Sequence, residues 1–152
     1  MHPRSKLAIV SVALVFGGCA KPTSPTIDEV IDEFRQLNNE STQLSCQCFE
    51  LLIDDYANEQ ECVNHAGLIE DDDLDCIAGV AESVTRDEDE AIALVQCYNA
   101  AFRELVDCER TNVGVCSAEI FGDCVEAFVS ATTDCAVGYP EDELESLWYC
   151  WP

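Results

Sequence analysis

Ten cysteines lie between Cys46 and Cys150, and an eleventh, Cys19, stands apart near the start of the chain. Sulfur can ligate a soft metal, serve a redox cycle or cross-link a fold, and the compartment decides which. "CQC" at 46–48 with His65 offers two sulfurs and an imidazole, a set that suits copper or zinc. As a redox pair "CQC" lacks both the C-x-x-C spacing and a βαβ pattern around it. "DDDLDCIAGVAE" (71–82) puts Asp71, Asp73 and Asp75 at alternate positions and Glu82 at the twelfth, the ligand order of an EF-hand loop. Cys76 stands where that loop needs glycine. Leu74, Ile77, Ala81 and Val84 also fit one continuous helix, which the loop would destroy. These four acids are weak metal candidates beside the plainer reading, an acidic helix start.

The remaining inventory prunes mechanisms. Once an N-terminal signal is removed, the histidine left is His65 and the lysine left is Lys21. A Ser-His-Asp site would have to use His65, and a Ser–Lys site has no lysine in the domain. There is no G-x-S-x-G, G-x-G-x-x-G or P-loop pattern. Hydrolysis by paired carboxylates stays open, because acids are everywhere, but nothing selects a pair. No catalytic residue and no cofactor is assigned. Against 31 acidic residues the mature chain sets Lys21, Arg35, Arg86, Arg103 and Arg110, a net charge of about −26. Such a surface repels nucleic acid and anionic head groups, favours loose association of divalent cations, and costs stability through self-repulsion.

The start of the chain fixes the compartment. Arg4 and Lys6 precede "LAIVSVALVF" (7–16), an apolar run too short for a spanning helix of about 20 residues. With Gly17 and Gly18 it reads as an export signal over residues 1–18. "VFGGC" resembles the lipobox of bacterial lipoproteins, with Phe16 where that family usually has leucine. The resemblance implies cleavage before Cys19, diacylglycerol on its sulfur and a palmitate-type acyl group on the new N-terminus. It covers residues 1–19 and says nothing of the rest. A cut after Ala20, at "GCA", is the alternative and would release a soluble secreted protein. "AKPTSPT" then reads as an extended, solvated tether, residues 19–26 with the anchor, because Pro22 and Pro25 bar helix.

Residues 27–152 read as a small all-α, disulfide-rich bundle. "TIDEVIDEFRQLNN" opens with the capping box Thr26/Glu29 and carries Ile27, Val30, Ile31, Phe34 and Leu37 on one face. A second helix is expected over about 42–64 and a third over about 72–84. A fourth, about 87–110, has acids at its start and Arg110 at its end, as the helix dipole prefers. The fifth is expected over about 117–136 after Ser117. A last short helix, about 141–150, leads into Trp148, Tyr149 and Trp151, read as closing the core or as a binding patch.

With Cys19 lipidated or discarded, ten cysteines can form five bridges. Cys97, Cys108, Cys116, Cys124 and Cys135 are spaced 11, 8, 8 and 11 residues apart. Eleven residues return to within about 20° of the same helix face and rise about 16 Å. An antiparallel hairpin at about 87–136 therefore pairs Cys108 with Cys124 near its turn and Cys97 with Cys135 at its far end. The hairpin resembles the twin-cysteine helical hairpins of the CHCH type in geometry alone. It departs in having one more residue between the cysteines of each helix, and extra cysteines outside. Cys62–Cys76 is expected to close the loop between the second and third helices. Cys46 and Cys48 point about 200° apart, so they need different partners, with Cys116 and Cys150 as candidates. The expectation is an envelope-anchored structural or protein-interaction lipoprotein, held to the membrane by its lipid and open to a protein partner. A divalent-cation-binding envelope protein and a carboxylate-dependent hydrolase are the alternatives.

Overall fold

The computed structural model describes residues 24–51, 56–140 and 150. The expected export signal, Cys19, and the stretch expected to form the last helix with Trp148, Tyr149 and Trp151 lie outside these residues. Within them the chain is all helical: α1 (Ile27–Gln47), a 3-10 turn (Phe49–Leu51), α2 (Glu59–Ala66), α3 (Asp71–Val84), α4 (Glu88–Asn112) and α5 (Ala118–Cys135).

Local chemistry sets the starts. Thr26 and Glu29 form the expected reciprocal capping box, the Thr26 amide donating to the Glu29 carboxylate at 2.8 Å. Asn58 accepts from the Glu61 amide at 3.0 Å and opens α2. Asp87 accepts from the Glu90 amide at 2.9 Å and opens α4. Each satisfies an amide that the first helical turn leaves without a partner.

The expected break near residue 40 is absent, and the stretch expected as one helix over 42–64 is divided among the end of α1, the 3-10 turn and α2. α1 runs unbroken through "NNES" because its polar residues there serve tertiary contacts. Asn39 donates to the Ile69 carbonyl at 3.0 Å and accepts from the Ile69 amide at 2.8 Å. α1 then stops at Cys48, and the chain turns back so that Cys46 and Cys62 bond with Cα atoms 5.5 Å apart. A continuous helix would have held those residues about 24 Å apart. α4 runs two residues past its expected end, its last turn closed by Asn112 donating to the Cys108 carbonyl at 2.7 Å.

Residue pairing gives the topology. Val30 meets Asn99, Glu33 meets Arg103 and Glu40 meets Arg110, at sequence separations of 69, 70 and 70. A constant separation means that α1 and α4 are parallel. α3 runs back beside α1, with Asp71 on Arg35 just after Ile69 on Asn39. α5 runs back beside α4. The core lies between α1, α3 and α4, on Val30, Ile31, Phe34, Ile77, Leu94 and Phe102. Phe102 packs edge-on against Phe34, centroids 5.2 Å apart, and 4.5 Å from Phe128 of α5. It therefore joins three helices by aromatic contact. Among the described residues no helix is long and apolar enough to cross a membrane.

Candidate functional site

The sulfur chemistry is spent on cross-links. Cys97 bonds Cys135 and Cys108 bonds Cys124, Cα atoms 5.7 and 5.9 Å apart, so α4 and α5 are stapled at both ends of their contact. Cys48 bonds Cys116, joining the end of α1 to the α4–α5 turn. Cys116 sits at φ 46°, a left-handed conformation rare outside glycine. Its amide donates to the Asn112 carbonyl at 3.3 Å, so that turn closes the exit from α4. The expected Cys62–Cys76 bridge does not form. Cys62 is buried against Cys46, whereas Cys76 takes Cys150, 74 residues away. Cys150 thus does not partner Cys46 or Cys48.

Neither metal pattern assembles. Both sulfurs of "CQC" are oxidised, and His65 Nδ1 lies 3.2 Å from the Tyr56 hydroxyl. The stretch 71–82 is continuous helix rather than an EF-hand loop, as its apolar spacing required. Asp71 pairs with Arg35, Asp73 accepts from the Glu70 amide at 2.8 Å, and Asp75 and Glu82 are exposed along α3. No group of three histidine, cysteine or acidic residues fit to hold a metal occurs among the described residues. An open groove of about 640 Å³ lies between α2 and α3, with Gln60, Asn64, Gly67, Glu70, Asp72 and Asp73 among its walls. It holds amides and carboxylates but no nucleophile–base pair.

The four arginines of the described chain are committed. Arg35 pairs with Asp32 and Asp71, Arg86 with Glu90, Arg103 with Glu33 and Arg110 with Glu40 and Asp107. The hydrogen bond and charge of Arg86 hold the Glu90 carboxyl below its ordinary range, and Glu90 in turn raises Arg86. Glu40 likewise raises Arg110. None of these guanidinium groups is left over for an anionic ligand.

Glu109 was not visible as special in the sequence. It is only 1% exposed, on the inner face of α4 between Leu105 and Val106 of the preceding turn and the end of α1. Ser45 donates to its Oε1 at 2.7 Å, and Ser41 faces it too. Oε2 has no hydrogen-bond partner among the described residues. Burial pushes this carboxyl up, against the pull of the two serine hydroxyls. Its one sequence signal is position: four residues after Leu105 and seven after Phe102, an acid inside an apolar stripe. Asn99 is a second buried polar residue, donating to the Val30 carbonyl at 2.8 Å. Glu109 is sealed between helices, and no second dehydrated acid faces it among the described residues, so it has the environment of a general acid without access to a substrate.

α5 has a second face besides its cystine stripe. Its cystines face α4, yet Val125 and Val129 stand on its outer surface, 48% and 53% exposed. Val115 and Val137 flank them in sequence and are also exposed. The chain matches no protein-family model, no curated protein and no solved structure in these comparisons.

Proposed function

We propose that this chain is an exported, lipid-anchored acidic module of the bacterial envelope, which works by presenting a rigid surface rather than by turnover. The observation that carries the reading is the pairing of all ten cysteines from Cys46 to Cys150 into five bridges, with Cys19 left as the eleventh. Five structural bridges belong to an oxidising compartment. A cysteine placed after an export signal and outside that framework suits acylation. The tether would join α1 at its N-terminal end. α1 rises about 31 Å, and α4 runs parallel to it, so the α4–α5 turn would lie far from the membrane.

The other readings draw less support. A cation site would need converging ligands, and Asp71 and Asp73 are engaged elsewhere. A carboxylate hydrolase would need two convergent, dehydrated acids on a cleft; Glu70 and Asp72 of the α2–α3 groove are exposed, and Glu109 is alone and enclosed. Intact mass of the protein extracted from membranes tests the proposal. The expected result is a chain beginning at Cys19, carrying acyl mass and gaining about 10 Da on reduction, two hydrogens per bridge. A chain beginning at Lys21 without acyl mass would overturn the anchor.

A further inference from the structure

A helix that packs on one neighbour needs an apolar arc of about 100°. α5 has about twice that. Turning about 100° per residue from Cys124, the side against the core holds Ile120, Cys124, Phe128, Thr132 and Cys135. The next sector holds Val125, Ala118, Val129 and Gly122, all exposed. Beyond it come Glu126, Glu119, Asp123 and Asp134, also exposed. α5 contains no lysine or arginine, and no ion pair reaches it among the described residues. The helix thus presents an exposed apolar strip about 16 Å long, from Ala118 to Val129, beside a strip of carboxylates that have no ion pair among the described residues.

We propose that this face docks a cationic amphipathic helix of another envelope protein, its apolar side on Val125 and Val129 and its lysines or arginines on Glu119, Asp123 and Glu126. This deepens the reading of the chain as a presenting module and rests on it. Charge complementarity selects the partner. A second copy would bring two acidic strips together on chains of about −26 each, and an anionic membrane would be repelled in the same way. Apolar contact along the strip supplies affinity, and the carboxylates fix register and speed encounter. The two bridges to α4 keep the helix formed before the partner arrives, which removes an ordering cost from binding.

The test uses the full-length oxidised protein in zwitterionic nanodiscs, with empty discs as the blank. The probe is an 18-residue leucine–lysine amphipathic peptide carrying a photo-crosslinker. Controls are a scrambled peptide and one with lysine replaced by glutamine. The expected result is binding of the amphipathic peptide alone, with adducts mapped to Val125–Val129. Val125→Asn with Val129→Asn is expected to weaken binding at least tenfold. Both positions are exposed, and retained circular dichroism and five intact bridges would show that the fold survives. Glu119→Gln, Asp123→Asn and Glu126→Gln together are expected to flatten the salt dependence. Equal binding of the scrambled peptide, or unchanged binding by the asparagine variant, would overturn the proposal. So would a dimer that forms without peptide and is lost in that variant. No binding by a protein that still shows acyl mass and five bridges would overturn the partner class while leaving the anchored module standing.

Discussion

Between α1 and α4 the helices run parallel and recognise each other through polar side chains: Arg103 on Glu33, Arg110 on Glu40, Asn99 on the Val30 carbonyl, Ser45 on Glu109. Their covalent link, Cys48–Cys116, lies beyond the ends of both. Between α4 and α5 the helices run antiparallel, and two bridges on the helix bodies hold them. Among the described residues no ion pair or side-chain hydrogen bond joins that second pair. α4 is thus positioned by two independent means. One responds to pH and salt, the other to redox. The reversible contacts choose which helix lies where, and the bridges lower the entropy of the unfolded chain. That second effect matters in a chain whose charge opposes compaction.

The largest break comes from the α5 side. Replacing Cys97, Cys108, Cys124 and Cys135 by serine is expected to cost about 7 kcal/mol on the chain-entropy estimate, about 3 for the shorter Cys108–Cys124 loop and about 4 for the longer Cys97–Cys135 loop. Urea unfolding measures the loss. Hydrogen exchange is expected to show α5 opening before α1, since no polar contact holds it to α4. Equal exchange in the two helices would mean that apolar packing alone fixes α5.

On the α1 side the most sensitive point is Glu109. Burial raises its carboxyl above the ordinary value of 4.5, so the folded chain holds that proton to higher pH than the unfolded chain does. The stability this contributes is fully present below 4.5 and is lost as pH rises through the elevated folded value. Glu109→Gln stays neutral, so it is expected to remove that part of the pH slope and to stabilise the protein by about 1 kcal/mol at neutral pH. Denaturant midpoints of the two proteins across pH 4 to 8 check it; parallel curves would contradict it.

Smaller changes separate the sides further. Gly122 lies mid-helix in α5 with open space where a Cβ would go. Gly122→Ala is therefore expected to stabilise by about 0.5–1 kcal/mol, read as a rise in melting temperature. The smallest effect is expected at the half-exposed Arg103–Glu33 pair. Arg103→Gln should cost about 0.5 kcal/mol or less at low salt, and nothing measurable at 1 M salt.

Legibility from sequence followed the same division. The α4–α5 hairpin could be read because its information is periodic: apolar residues at helical spacing and cysteines 11 apart on each helix. The boundary between α1 and α2 is not legible in this way, because its information is pairwise. Asn39 and Ser41 look like boundary residues until Ile69 and Glu109 are known to be their partners. Cys62 and Cys76 flank the loop between the second and third helices, but Cys76 faces outward on α3 and takes Cys150, while the turn after Cys48 carries Cys62 to Cys46. The second apolar arc of α5 was present in Val125 and Val129. Periodicity does not single it out, because the cysteine stripe alone accounts for the packing of that helix.

The division of α4 between a polar side and a covalent side rests on connectivity, and peptide mapping of the native protein without reduction tests it most directly. The account predicts five cross-linked pairs: Cys46–Cys62, Cys48–Cys116, Cys76–Cys150, Cys97–Cys135 and Cys108–Cys124. A Cys97–Cys108 bridge, or free thiols at Cys124 and Cys135, would contradict it.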